Sequence, residues 1–130
     1  MSTMSVDHRD VDRWVLRLDE AVSAAPEEAT KVVAKGALNI KNGARQRRAG
    51  SRWAPAYPAS IGYDMMQGLR GPVAEIGPDK LKRQGALGNI LEFGTIHNAP
   101  EPHIRPAVDE EIPRYERAMT DLAARLLEGR

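Results

Sequence analysis

Between Pro26 and Ala49 the residues Ala29, Val32, Val33, Gly36, Ala37, Ile40 and Ala44 recur at steps of three and four. That spacing gathers them on one face of a helix. Most of them are small, so a helix built here can lie close to a neighbour. Pro26, Glu27 and Glu28 suit its first turn, because proline tolerates an early helical position and acids favour the positive helix end. Residues 50–58, GSRWAPAYP, carry two prolines and a glycine and must end it.

The flanking patterns complete a layout. Val11, Trp14, Val15, Leu18 and Val22 repeat the helical spacing, which predicts an earlier helix from near Asp7, with Asp7 or Asp10 as its N-cap. Whether it is separate from the second helix or one kinked rod stays open. Ile61, Tyr63 and Met65 alternate as in a half-buried strand, residues 67–72 turn the chain, and residues 73–76 make a second strand stopped by Gly77 and Pro78. Residues 79–88 hold three cations and two glycines with little apolar content and read as a mobile loop. Residues 90–93 form a short apolar run between Gly88 and Gly94 that either a strand or a helical turn would fit, and the reading taken is strand-like or irregular. Finally Val108, Ile112, Tyr115, Met119, Leu122 and Leu126 mark a last helix opened by Pro106, with Pro113 placed to kink or delay it. The expectation is one α+β domain over residues 1–130, with an N-terminal helical region, a small antiparallel sheet, and a C-terminal helix packed on the sheet.

Composition narrows the chemistry. The chain has 130 residues, no cysteine and a single phenylalanine. Disulfide scaffolds, cysteine-ligated metal sites and thiol catalysis are thereby excluded. A core built from small aliphatic side chains is thin, which favours further burial against a partner. No apolar run approaches the roughly 20 residues that span a bilayer. The start, MSTMSVDHRDVDRW, lacks the apolar core of a secretory signal. His97 and His103 lie near Glu92 and Glu101, but their spacing matches no metal-ligand pattern with a mechanism behind it. No zinc-protease, nucleophile-elbow, phosphate-loop or dinucleotide fingerprint is present. The reading is therefore a protein without catalytic residues, cofactor or metal.

The net charge of +1 conceals two opposed segments. From residue 29 to 63 there is no acid, while Lys31, Lys35, Lys41, Arg45, Arg47, Arg48 and Arg52 are present. Residues 101–121 hold Glu101, Asp109, Glu110, Glu111, Glu116 and Asp121 against three arginines. Lys41, Arg45, Arg47, Arg48 and Arg52 are the candidate partner contacts, toward an acidic protein face or phosphate. Trp53 and Tyr57 would then offer stacking faces for a nucleic acid. The bland alternative is that Arg45, Arg47 and Arg48 only favour the negative end of their own helix. Opposed segments could also pair between subunits of a ring.

The most specific block is GNILEFGTIHNAPEPHIRPAVDEE, residues 88–111. Asn89, Ile90, Leu91, Glu92, Phe93, Gly94 and Thr95 form one motif, and Pro100, Pro102, His103, Ile104, Arg105, Pro106 and Ala107 form a second. Read physically, Phe93 should anchor the final helix, Gly94 should turn the backbone, the prolines should stiffen the connection, and Arg105 should reach a carboxylate such as Glu92. The block resembles the tail-component family of long-tailed bacteriophages, which includes minor tail, tail completion and head–tail joining proteins. The likeness is dense over about 20 residues and elsewhere agrees only in layout; Glu101 stands where a basic residue is common. The resemblance implies a structural virion protein of the neck or tail end, assembled as a ring of six copies. Its implied partners are neighbouring neck and tail proteins and the tape-measure protein. The alternative is a nucleic-acid-binding module using residues 41–52.

Overall fold

The computed structural model describes residues 4–7, 14–18, 26–69 and 71–128. Strands β1 (Met4–Asp7) and β2 (Trp14–Leu18) precede the long helix α1 (Pro26–Arg48). A single turn, α2 (Tyr57–Ser60), leads into the hairpin β3 (Ile61–Gly68) and β4 (Gly71–Pro78). A 3-10 turn, Gly85–Leu87, runs into the short helix α3 (Gly88–Phe93), and α4 (Ile104–Leu127) closes the order. The strands form one antiparallel sheet in the order β1-β2-β4-β3. The architecture is α+β, as the patterning implied. No helix among the described residues is long and apolar enough to cross a membrane.

The expected first helix is corrected at Trp14–Leu18, which is a strand paired with β4 from Trp14↔Ile76 to Arg17↔Val73. The stretch WVLRL fits a spacing of two as well as a spacing of three and four. The backbone groups of β4 on the side away from β3 settle the ambiguity by offering a ladder. Val11, Val22 and Asp10 lie outside the described residues. Residues 90–93, read as strand-like, are instead part of helix α3. Residues 79–88, read as a mobile loop, hold a run of hydrogen-bonded turns over 79–84, followed by the 3-10 turn and the start of α3. Lys82 N–H donates to the Asp79 carbonyl (3.0 Å) and Gly85 N–H to the Lys82 carbonyl (3.0 Å). Gln84, at φ +62°, fastens the run to the 53–56 segment: its Oε1 accepts from Ala56 N–H at 2.6 Å and its Nε2 donates to the Trp53 carbonyl at 3.3 Å.

Helix α1 lies at the centre. Ala29, Val33, Ala37, Ile40 and Ala44 are fully buried on it. Lys41 sits over the Tyr63 ring, and Arg45 donates to the Ile61 carbonyl, so one side of α1 meets β3. The stripe at 36, 39, 43 and 47 meets α4 instead. Asn39 donates to Glu111 (3.1 Å), Arg47 pairs with Glu110 (2.6 Å), and a Cβ placed at Gly43 would lie 3.4 Å from that of Ala107. Gly36 faces Glu111 and Tyr115, Asn39 faces Glu111 and Gly43 faces Ala107, so the two helices are antiparallel. The chief neighbour of the C-terminal helix is thus α1, which corrects the expectation that it packs on the sheet. The small residues explain the difference: α1 is slim enough to be covered on two sides. The seam foreseen on α4 is present, with Val108, Tyr115, Met119 and Leu122 buried. Pro113 sits inside the helix at an exposed position, where the carbonyl it leaves unbonded can meet water.

Alanine substitution should separate the two α4-facing glycines. A Cβ on Gly36 would meet its nearest atoms, on Glu111 and Tyr115, at an ordinary 3.9 Å. Gly36→Ala is therefore expected to stabilise the fold by about 0.5–1 kcal/mol, the helix-propensity difference. Gly43→Ala should gain less or lose, since its Cβ would also come within 3.1 Å of the Arg47 guanidinium. Urea denaturation of both variants checks the order.

Candidate functional site

The recognisable block folds into one locked corner. Helix α3 ends at Gly94, whose N–H donates to the Ile90 carbonyl at 2.8 Å. Thr95 then nucleates a tight turn, its Oγ1 accepting from the N–H groups of His97 and Asn98, each at 3.1 Å. The proline segment returns the chain to α3, where Glu101 N–H donates to the Leu91 carbonyl at 2.6 Å. This return brings the start of α4 onto Glu92.

Glu92, only 5% exposed, caps that start with both oxygens. Oε1 accepts from the backbone N–H of His103 and of Ile104, each at 3.0 Å, and Oε2 from that of Arg105 at 3.2 Å. A helix N-terminus leaves its first N–H groups unpaired and carries partial positive charge, so a buried carboxylate is well placed there. The expected Arg105–Glu92 contact is made by the Arg105 backbone, while its guanidinium pairs with Asp109 at 3.3 Å.

His103 completes the cluster. It is fully buried, with Nε2 2.6 Å from the hydroxyl of buried Tyr57 and Nδ1 3.1 Å from the Glu101 carbonyl and 3.2 Å from Glu92 Oε1. Both neighbours of Nδ1 are acceptors, so the network assigns the proton to Nδ1, and Tyr57 O–H donates to Nε2. Burial, above all, pushes the imidazole below its usual 6.5, and Arg48 acts in the same direction. Burial, and then Glu92, raises the Tyr57 phenol above its usual value. Arg48, mostly covered, reaches Glu101 at 3.4 Å. The tyrosine, imidazole and carboxylate would suit acid–base chemistry if a substrate could reach them. Here they face one another inside the core, and their hydrogen bonds hold α2, α3 and α4 together.

Because the fold holds His103 neutral while the unfolded chain protonates near 6.5, the unfolded state binds more protons in the interval between the two values. Stability should be full above about pH 6.5 and fall as pH drops from there toward the lower folded value. The urea midpoint of the wild-type chain should show this decline, and His103→Gln should flatten it. An identical slope in the variant would exclude His103 as its source.

The remaining sequence candidates divide. Arg45, Arg47 and Arg48 are engaged with Ile61, Glu110 and Glu101, and Lys41 with the Tyr63 ring. The hydrogen bond from Arg47 holds Glu110 below the usual carboxylate range. Arg52 is exposed. Trp53 is 56% exposed, but Tyr57, foreseen as a stacking face, is sealed in the core. Phe93 is likewise corrected: it is 46% exposed, and Leu91 is the residue of that turn that enters the core. Ile90 and Phe93, three apart on α3, face outward because Leu91 and Glu92 occupy the inner face. Pro100 and Pro102 are exposed and Pro106 half-buried, so they shape the connection without filling the core. Asn89 is half-buried on α3.

His97 is exposed and its ring is not brought to the cluster; what joins the site is its backbone N–H, through Thr95. Among the described residues no group of three or more acidic or histidine side chains is placed to hold a metal. The role of Tyr57 was beyond sequence reasoning, since it lies 46 residues from His103 and no local pattern links them. No family model, curated protein or solved structure matches the chain.

Proposed function

We propose that this chain is a structural virion protein of the neck or tail end of a long-tailed phage, completing the tail or joining it to the head as part of a ring, with six copies as the expected number. The carrying observation is the division of labour in residues 88–107. The inner residues Leu91, Glu92 and His103 lock the corner, while Ile90, Phe93 and Ile96 present apolar side chains to solvent on the same segment. Exposed apolar groups on a rigid support suit assembly contacts. The buried cluster of Tyr57, Glu92 and His103 is sealed in the core, which favours a structural over a catalytic role. Neighbouring neck and tail proteins, among them the tape-measure protein, are the partners this reading assigns.

An amber codon in the gene within its own phage provides the test. Loss of the protein should yield unjoined heads and tails, and mass spectrometry of purified wild-type virions should find it. Normal particles from the amber mutant, with no copies in wild-type virions, would overturn the proposal. The nucleic-acid alternative retains exposed Arg52 and Trp53 in its favour. Tight oligonucleotide binding that weakens steeply with salt would support it.

A further inference from the structure

We propose that the outer edge of β3 pairs antiparallel with the same strand of a second copy, about a two-fold axis through Met65. In the order β1-β2-β4-β3, strand β3 is an edge. It is eight residues long and holds one charged residue, Asp64, with no proline and no lysine. Exposed edges are ordinarily blunted by such residues, by shortness or by a cover, because a row of unpaired N–H and C=O groups templates another strand.

The hairpin fixes which groups face outward. Gly68 and Gly71 close it as partners across two residues, and hydrogen-bonded pairs alternate along the ladder from there. Met66, Asp64 and Gly62 therefore bond to β4, while Gln67, Met65, Tyr63 and Ile61 point away from it. The prolines agree with this assignment. Pro72 lies opposite Gln67 and Pro78 opposite Ile61, both at positions where β4 needs no N–H toward β3. The Ile61 carbonyl is taken by Arg45 at 2.6 Å. The outward backbone groups of Tyr63, Met65 and Gln67 find no partner among the described residues.

Only one symmetric register uses all three. Centred on Met65, it sets Met65 against Met65 of the second copy and Tyr63 against Gln67, each an outward-facing pair. Asp64 then lies beside Met66 of the second copy. An axis at Asp64 would set two carboxylates against each other, which is unfavourable. It would also leave Gln67 facing Ile61, whose carbonyl is already occupied. An axis at Met66 would carry Tyr63 past the end of the opposing strand. The Met65 register keeps like faces together, so the two α1 helices lie on one side of a continuous sheet. Half-buried Tyr63 and Met65 then gain cover. This pairing is independent of the ring reading, because a two-fold pair and a six-membered ring differ in mass.

Sedimentation equilibrium of the full chain, from low micromolar to submillimolar, reads the state directly, with amide hydrogen exchange measured alongside. The expected result is a monomer–dimer equilibrium in which the amides of Tyr63, Met65 and Gln67 gain protection as concentration rises. Those of Asp64 and Met66 should be protected throughout. Gln67→Pro removes an outward N–H at an exposed position and should weaken the dimer about tenfold or more with the fold retained. A monomer at every concentration, or any oligomer in which those three amides stay unprotected, would overturn the pairing. If Gln67→Pro fails to fold, the exchange pattern of the wild-type chain still decides.

Discussion

Glu92→Ala is expected to destabilise the protein by about 3 kcal/mol and lower its melting temperature by roughly 10 °C. Three backbone N–H groups of the α4 start lose their acceptor together, in a place that water reaches poorly. The buried imidazole of His103 loses a neighbour at 3.2 Å in the same step. Each charge-assisted bond exceeds a neutral one, and the carboxylate also opposes the positive end of the helix. Glu92→Gln keeps one acceptor oxygen and should recover about half of the loss. The contrast is with Glu110, whose ion pair with Arg47 is also short but lies in water and should matter little. Denaturant unfolding of Glu92→Ala, Glu92→Gln and Glu110→Ala gives the comparison. A Glu92→Ala change below about 0.5 kcal/mol would mean that α4 is anchored elsewhere.

Gly94→Ala is expected to cost about 3 kcal/mol for a different reason. At φ +73° and ψ −175° the backbone occupies a region open essentially to glycine. A Cβ there would lie 2.7 Å from both the Asn98 carbonyl oxygen and the Pro100 nitrogen. Neither is the end of a flexible side chain, so the turn itself must shift. That turn aims Pro100, Glu101 and Pro102 back at α3, so strain at Gly94 should loosen the cap on α4. Amide exchange at Ile104 and Arg105 should therefore accelerate, beyond what the loss of global stability predicts. The same substitution at Gly36 carries the opposite sign, because no contact there is tighter than van der Waals distance.

The two long helices and the hairpin were legible because each has a periodic face set by its own residues. Trp14–Leu18 was misread because a five-residue apolar stretch fits both periods, and only pairing with β4 decides between them. Residues 90–93 were too short to carry any period. Phe93 misled for a simpler reason: its size suggested burial, whereas the turn of α3 gives the inner face to Leu91 and Glu92. The part of the site within the recognisable block, Glu92 with residues 103–105, was partly visible as a carboxylate and an arginine close in sequence. That backbone N–H groups make the contact could not be read from side-chain types.

Local residue preferences alone determined that α1 would be slim, that a hairpin would follow it, and that glycine and prolines would bend the chain before the last helix. Those features follow from the backbone freedom and periodicity of the residues themselves. Tertiary structure decided the rest. It covered α1 on two sides, so that the C-terminal helix meets α1 in place of the sheet. It sealed Tyr57 and His103 in the core and spent most of the basic segment on carbonyls and carboxylates within the chain. These outcomes depend on groups far apart in sequence competing for the same buried space and the same acceptors, and no local pattern records that competition.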